Sequence, residues 1–82
     1  MENTTVKSRI TRIFKKHFFI PTTAVKANRK LQDLGLNLME QMEMMLYLES
    51  EFHIALDDNE VKSIQTVGDA VTCVRQHLAY AA

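Results

Sequence analysis

The chain has little of what builds turns and cross-links. Its 82 residues include two glycines, one proline, one cysteine and no tryptophan. So little glycine and proline argues against a turn-rich all-β protein, and a hydrophobic content of 46% argues against disorder. The single cysteine, Cys73, excludes an intramolecular disulfide and fits a reducing compartment. The composition therefore predicts one small helical domain over residues 1–82.

Long apolar runs are missing too. No segment approaches the roughly 18 apolar residues that a membrane span needs. The polar start of the chain is followed by a basic region that never gives way to an apolar block, so it does not have the pattern of a secretory signal. We expect no membrane span, and a cytoplasmic location is the default.

Acidic residues are nearly absent from the first part of the chain, and basic residues are absent from the part that follows. Residues 1–30 carry eight bases and one acid, whereas residues 31–61 carry eight acids and no base, although the net charge is zero. Such a separation can steer a partner of opposite sign. The alternative is that solvated helix faces of opposite sign attract each other within the fold.

Apolar residues recur at helical spacing in the first half of the chain. A first helix begins near Val6, and Pro21 should stop it because proline disfavours helical geometry in the residue before it. A long connection then leads to a turn at Gly35. A second helix should begin at Asn37, whose side chain can cap a free backbone N–H group, and should end near Phe52.

Two more capping patterns follow. Asp57 and Glu60 have capping spacing before a short third helix that should end near Ile64, and Thr66 and Asp69 repeat the spacing before a fourth helix. The fourth helix should bury the stripe Val67, Ala70, Val71, Val74 and Leu78. The sequence therefore predicts an all-α fold with four helices.

The chain offers few groups for catalysis or metal binding. It has no nucleophile elbow and no glycine-rich phosphate loop, so we expect no enzymatic activity. Cys73 and His77 lie four apart and could give a metal two ligands, but a site needs three or four and nothing in the sequence supplies the rest. We therefore expect no metal site, with His17 at the edge of the core and His53 at a helix end.

Nucleic-acid binding through the basic first helix is an alternative function. Phosphate contacts need only suitably placed lysines and arginines. No aromatic platform or recognition motif accompanies those bases, so we do not expect a nucleic-acid partner.

The second helix carries more apolar surface than a core can use. Its apolar side chains span about 220° of helical arc, where a core-facing stripe needs little more than 100°. Either a small domain buries this helix on two sides, or part of its surface is exposed to bind partners. Methionine suits the second interpretation because its flexible side chain fits more than one shape. The predicted docking residues are Leu38, Met39, Glu40, Met42, Glu43 and Leu46.

The order of these motifs resembles that of an acyl carrier protein from about residue 31 to residue 78. The motifs that carry the resemblance are Asp33-Leu34-Gly35, the acids Glu40, Glu43 and Glu49, Phe52 at the helix end, and Ile64-x-Thr66-Val67. The resemblance implies a four-helix bundle with a short third helix. It also implies that the second helix docks the basic faces of biosynthetic enzymes, such as ketosynthase- or acyltransferase-like proteins.

The chain departs from the family at the position that carries the cofactor. In the family the corresponding tripeptide is Asp-Ser-Leu, and its serine hydroxyl holds the phosphopantetheine arm. Here the tripeptide is Asn37-Leu38-Met39. Leucine has no nucleophilic oxygen, so we expect no phosphopantetheine and no other cofactor. Asn37 can still cap the helix, and Met39 still contributes to the docking residues.

Three explanations of Leu38 remain open. The protein is a natural carrier-like module that works without an arm, an acyl carrier whose serine was replaced by engineering, or a family relative with another purpose. We favour the first because Asn37 differs as well, and an engineered loss would alter the serine alone. The expected function is partner docking in fatty-acid or polyketide-type biosynthesis.

Overall fold

The computed structural model describes residues 5–81, and this part of the chain folds into four α-helices. They are α1 (Val6–Phe18), α2 (Leu38–Phe52), α3 (Asp58–Ser63) and α4 (Val67–Ala81). Short 3₁₀ turns at Thr22–Ala24 and Gln32–Leu34 interrupt the long connection between α1 and α2. The predicted all-α fold with a short third helix is confirmed. Among the helices described, none is both long enough and apolar enough to cross a membrane.

The starts of α2 and α3 have the same reciprocal capping arrangement. The Asn37 side chain accepts a hydrogen bond from the Glu40 backbone N–H at 2.8 Å, and the Glu40 carboxylate accepts one from the Asn37 N–H at 3.0 Å. Asp57 and Glu60 make the same pair of bonds at 2.8 and 3.0 Å. Each pair satisfies two backbone donors that the first turn would otherwise leave unpaired, so both predicted helix starts are confirmed.

The end of α1 differs from the prediction that Pro21 stops it. The helix ends at Phe18, because Phe19 takes a left-handed backbone conformation with φ of 59°. The N–H groups of Phe19 and Ile20 both turn back to the carbonyl of Phe14. A left-handed residue after the last turn is a common helix ending, and here it acts before the proline is reached.

The core lies between α1, α2 and α4, and the connecting segments also contribute buried side chains to it. Its buried apolar residues are Ile10, Ile13, Phe14, Ile20, Val25, Leu31, Leu36, Met44, Met45, Leu48, Phe52, Ile64, Val67, Ala70, Val71, Cys73 and Val74. The predicted stripe of α4 is buried except for Leu78, which is only half-buried. Helix α3 contributes no fully buried side chain. It is therefore the helix held least by the core.

The long connection is attached to the start of α4 by backbone hydrogen bonds. The Leu31 N–H donates to the carbonyl of Gln65 at 2.8 Å, and the Gly68 N–H donates to the carbonyl of Ala27 at 2.8 Å. A Cβ atom at position 68 would lie only 3.0 Å from that Ala27 oxygen. Glycine therefore permits the close approach of the two segments.

Candidate functional site

Four large apolar side chains lie exposed on one side of α2. The exposed fractions are 79% for Leu38, 72% for Met39, and 64% for both Met42 and Leu46. Their spacing places them as neighbours along the helix surface. We call these four residues the α2 ridge. Their predicted exposure is confirmed, while their role in docking stays a prediction.

The opposite side of α2 faces the core. Met44 and Leu48 are fully buried, and Met45 and Phe52 are nearly so. Helix α2 contacts α1 and α4, and these four residues belong to the core that the helices share. The alternative in which a small domain buries α2 on two sides is therefore wrong, because the buried set occupies one side and the ridge is left to solvent.

The acids of α2 differ in what their carboxylates do. Glu40 caps the helix, Glu49 accepts a hydrogen bond from the Leu56 N–H at 2.8 Å, and Glu51 pairs with Arg9 at 2.9 Å. Glu43 takes part in none of these contacts and is exposed. Of the two acids predicted to dock partners, Glu43 is available, while Glu40 also holds the start of the helix.

A cleft of about 420 Å³ opens beside the ridge, between α2 and α3. Its apolar lining comes from Leu38, Met42, Met45, Val61 and Ile64, and its polar lining comes from Lys30, Gln32, Gln41, Lys62 and Gln65. Sequence reasoning did not predict this cleft. The sequence feature that could have pointed to it is Val61, an apolar residue on α3. A helix this short cannot bury Val61 fully, and the structure leaves it half-buried.

Position 38 is the first residue of α2, directly after the cap residue Asn37. The Leu38 side chain is exposed and forms part of the cleft wall. The other serines of the described chain lie away from this turn: Ser8 on α1, Ser50 near the end of α2, and Ser63 at the end of α3. No serine hydroxyl is presented at the start of α2.

A cluster of three ligand-type side chains joins α3 to α4. The Nε2 atom of His77 lies 2.6 Å from Oε2 of Glu60, and the Cys73 thiol donates to the same oxygen at 3.6 Å. Burial, followed by the negative charge of Glu60, raises the pKa of Cys73 to about 11. The hydrogen bond from the Asp57 N–H is the main cause that lowers the pKa of Glu60, and His77 adds to it.

This cluster corrects the expectation that nothing supplies a third ligand beside Cys73 and His77. Glu60 supplies it, and the ligand atoms of the three residues lie within 4.8 Å of one another. The sequence did not reveal the contact because Glu60 lies on another helix, and the turn that brings α3 against α4 is not encoded by a local pattern. The capping role of Glu60 was visible, and the second use of its carboxylate was not.

The remaining two histidines, His17 and His53, have positions that are explained by packing and by the end of a helix. The His17 ring stacks on Tyr47 with their centroids 3.9 Å apart, at the solvent side of the core. His53 follows α2 in a left-handed conformation with φ of 56°. Both positions agree with the sequence-based expectations of a core-edge and a helix-end histidine.

Comparison with known proteins identifies the family. A family model described as the phosphopantetheine attachment site matches residues 8–74, which is most of the chain. The chain belongs to this acyl carrier protein family. Its family membership agrees with the resemblance carried by the motif at Asp33-Leu34-Gly35 and the helix that follows.

Two solved structures of the family resemble this one. An acyl carrier protein from Enterococcus faecalis is 30% identical, with a TM-score of 0.74, and the match covers 88% of this chain and 92% of that one. An acyl carrier protein from Thermotoga maritima is 20% identical, with a TM-score of 0.85, and the match covers 100% of this chain and 96% of that one. The second likeness shows the fold, and the predicted bundle of acyl carrier protein type is confirmed.

Proposed function

We propose that this protein is a non-catalytic carrier-like module that binds enzymes of fatty-acid or polyketide-type biosynthesis through α2. The observation that carries the proposal is the α2 ridge, in which four neighbouring apolar side chains are each more than 60% exposed. Exposed apolar patches of this kind mark interaction surfaces. Two of the four are methionines, whose side chains adapt to different partner shapes.

The partners that fit this surface have an apolar contact area with basic residues around it. Glu43 lies on α2 among the ridge residues and is exposed, so it is free to meet a lysine or arginine of a partner. Charge complementarity of this kind mainly increases the rate of association. Ketosynthase- and acyltransferase-like enzymes are the proposed partner classes, as the family resemblance implies.

We further propose that the protein works without phosphopantetheine, because Leu38 stands where the family has its attachment serine. A leucine side chain offers no oxygen for a phosphodiester. Asn37 departs from the family as well, yet it keeps the cap of α2. Loss of the covalent function with retention of the helix start supports a natural carrier-like module over an engineered replacement of the serine alone.

The binding test uses purified ketosynthase and acyltransferase of a dissociated fatty-acid synthase, immobilised separately and titrated with this protein. We expect Leu46→Ser to weaken binding to at least one enzyme by about fivefold or more, since it removes one of the four large apolar contacts of the ridge. Tyr80→Ser is the matched control, because Tyr80 is an exposed apolar residue on α4, at 89%, outside the ridge.

Two outcomes would contradict the proposal. One is an equal loss of binding for Leu46→Ser and Tyr80→Ser, which would mean that no defined surface is used. The other is no binding to either enzyme together with tight, strongly salt-dependent binding to duplex DNA, which would favour the basic α1 as the functional surface.

A further inference from the structure

We propose that Glu60, Cys73 and His77 form a binding site for a Zn²⁺ ion that bridges α3 and α4. The three residues offer a carboxylate oxygen, a sulfur and an imidazole nitrogen, all within 4.8 Å of one another. This ligand set suits zinc, which accepts sulfur, nitrogen and oxygen donors. Mg²⁺ and Ca²⁺ are excluded as the preferred ions because they select oxygen ligands.

The backbone places two of the ligands together. Cys73 and His77 lie four residues apart on α4, so their side chains lie on the same side of the helix. Cys73 is buried, while the His77 and Glu60 side chains are 27% and 31% exposed. An ion can therefore enter from solvent and still be bound by a thiol at the edge of the core.

The third ligand is held in place by a separate contact. One carboxylate oxygen of Glu60 accepts the Asp57 N–H at 3.0 Å, and the other oxygen lies against His77 and Cys73. The hydrogen bond to the first oxygen fixes the orientation of the carboxylate. Ligands in protein metal sites are commonly held by such hydrogen bonds. The capping bond thus serves the site as well as the start of α3.

The distances between the ligand atoms require only small adjustments. Tetrahedral zinc with bonds of about 2.0 Å to nitrogen and oxygen and 2.3 Å to sulfur separates its ligand atoms by about 3.3 to 3.5 Å. The separation between Glu60 and Cys73 is already 3.6 Å, the 2.6 Å contact between Glu60 and His77 has to widen, and the separation between Cys73 and His77 is within 4.8 Å. Helix α3 has no fully buried side chain to resist that movement.

Binding exchanges a proton for the metal at sulfur. The Cys73 S–H bond breaks, its proton is released to solvent, and the sulfur forms a bond to Zn²⁺. The ion also replaces the hydrogen bond between Glu60 and His77. The neutral His77 ring then carries its proton on Nδ1, so the lone pair of Nε2 and Oε2 of Glu60 both bond to the ion. Water takes the fourth position, as it does in zinc sites with three protein ligands.

The test is a titration of the purified full chain with Zn²⁺ against a chromophoric chelator, repeated with Co²⁺ as a spectroscopic probe. We expect one equivalent to bind, and the Co²⁺ form to show a sulfur-to-metal charge-transfer band and the visible bands of tetrahedral coordination. Cys73→Ser should abolish the charge-transfer band and weaken Zn²⁺ binding by about 100-fold or more, because even outer-shell partners contribute 10- to 100-fold.

Two further variants separate metal binding from folding. Glu60→Gln keeps a side-chain oxygen for the cap of α3 but removes the carboxylate charge, so it should fold and bind Zn²⁺ more weakly. His53→Asn is the control, since His53 lies outside the cluster and asparagine tolerates its left-handed backbone. Circular dichroism checks that each variant remains helical.

Three results would overturn the proposal. They are the absence of Zn²⁺ binding at 100-fold excess metal, an affinity that folded Cys73→Ser and Glu60→Gln leave unchanged, and an equal loss of affinity in His53→Asn. Any of them would mean that the cluster is only a hydrogen-bonded contact between α3 and α4.

Discussion

Arg9 of α1 binds the end of α2 at Glu51 through two hydrogen bonds. Its Nε atom donates to the Glu51 carboxylate and its Nη2 atom to the Glu51 backbone carbonyl, both at 2.9 Å. The guanidinium carbon also lies 4.4 Å from the centre of the Phe52 ring. Some of the bases and acids that are separated in the sequence therefore pair within the fold, because the basic helix α1 packs against the acidic helix α2.

Replacement of this arginine by lysine should destabilise the protein. Arg9→Lys keeps the charge but loses the planar group that reaches both oxygens and the ring, so we expect a loss of about 1 kcal/mol of unfolding free energy. Urea denaturation followed by circular dichroism measures it. Arg75→Lys makes the same change at an exposed position of α4 and should cost less than about 0.5 kcal/mol. Equal costs would show that the Arg9 contacts contribute nothing.

Truncation of two methionines on opposite sides of α2 should have opposite consequences. Met42 is 64% exposed, so Met42→Ala should change the unfolding free energy by less than about 0.5 kcal/mol and weaken enzyme binding. Met44 is fully buried, so Met44→Ala should cost about 2 to 5 kcal/mol through lost burial and the cavity left behind. A large loss of stability in Met42→Ala would remove this residue from the proposed surface.

Charge reversal at Glu43 should act on the rate of partner association. Glu43 is exposed, so Glu43→Lys should leave the unfolding free energy within about 0.5 kcal/mol of the native value. It should slow association with a partner that has a basic face, with little effect on dissociation. Because salt screens such attraction, the difference from the native protein should shrink as ionic strength rises in stopped-flow measurements. A slowing that persists in high salt would not be electrostatic.

Restoration of the family tripeptide should restore modification. Native protein incubated with coenzyme A and a broad-specificity phosphopantetheinyl transferase should show no increase in mass. The double variant Asn37→Asp with Leu38→Ser supplies a hydroxyl at the start of α2, and aspartate can still cap the helix. We expect it to gain the mass of one phosphopantetheine arm.

The single variant Leu38→Ser is the control that shows whether the change at Asn37 is needed for modification. Attachment of phosphopantetheine to any residue of the native chain would contradict a function without the arm. A folded double variant that stays unmodified would mean that α2 has diverged beyond what the transferase recognises.

The cap of α4 should make stability depend on pH in acid. The Asp69 carboxylate accepts hydrogen bonds from the N–H groups of Gln65 and Thr66, which lower its pKa. A lowered pKa means that the charged carboxylate stabilises the fold above the pKa of the unfolded chain, and that this stabilisation is lost as pH falls through the folded value. The stability difference between native protein and Asp69→Asn should therefore be larger at pH 6 than at pH 2, by urea denaturation. A constant difference would contradict this role.

Local patterns in the sequence predict the parts of this fold that local interactions determine. The caps at Asn37 and Asp57 follow from local patterns, although the reciprocal bond of Glu40 was not predicted, and the surplus apolar arc of α2 predicted that Met42 would be exposed. Helix α1 ends before Pro21, but the left-handed turn at Phe19 that ends it was not predicted, because Phe19 is not a residue that favours this conformation. Glu60 was read only as a cap, because its contact with His77 depends on how two helices meet. Tertiary contacts of that kind have no fixed spacing along the chain.

The hydrogen bonds that join residues 27–31 to residues 65–68 close the intervening chain into a ring. Both the α2 ridge and α3 are carried by that ring, and its two ends are fixed side by side. The short segments 53–57 and 64–65 join α3 to α2 on one side and to the start of α4 on the other. The ring therefore places one wall of the cleft, α3, which has no fully buried side chain, on the same closed loop as α2, which contacts α1 and α4.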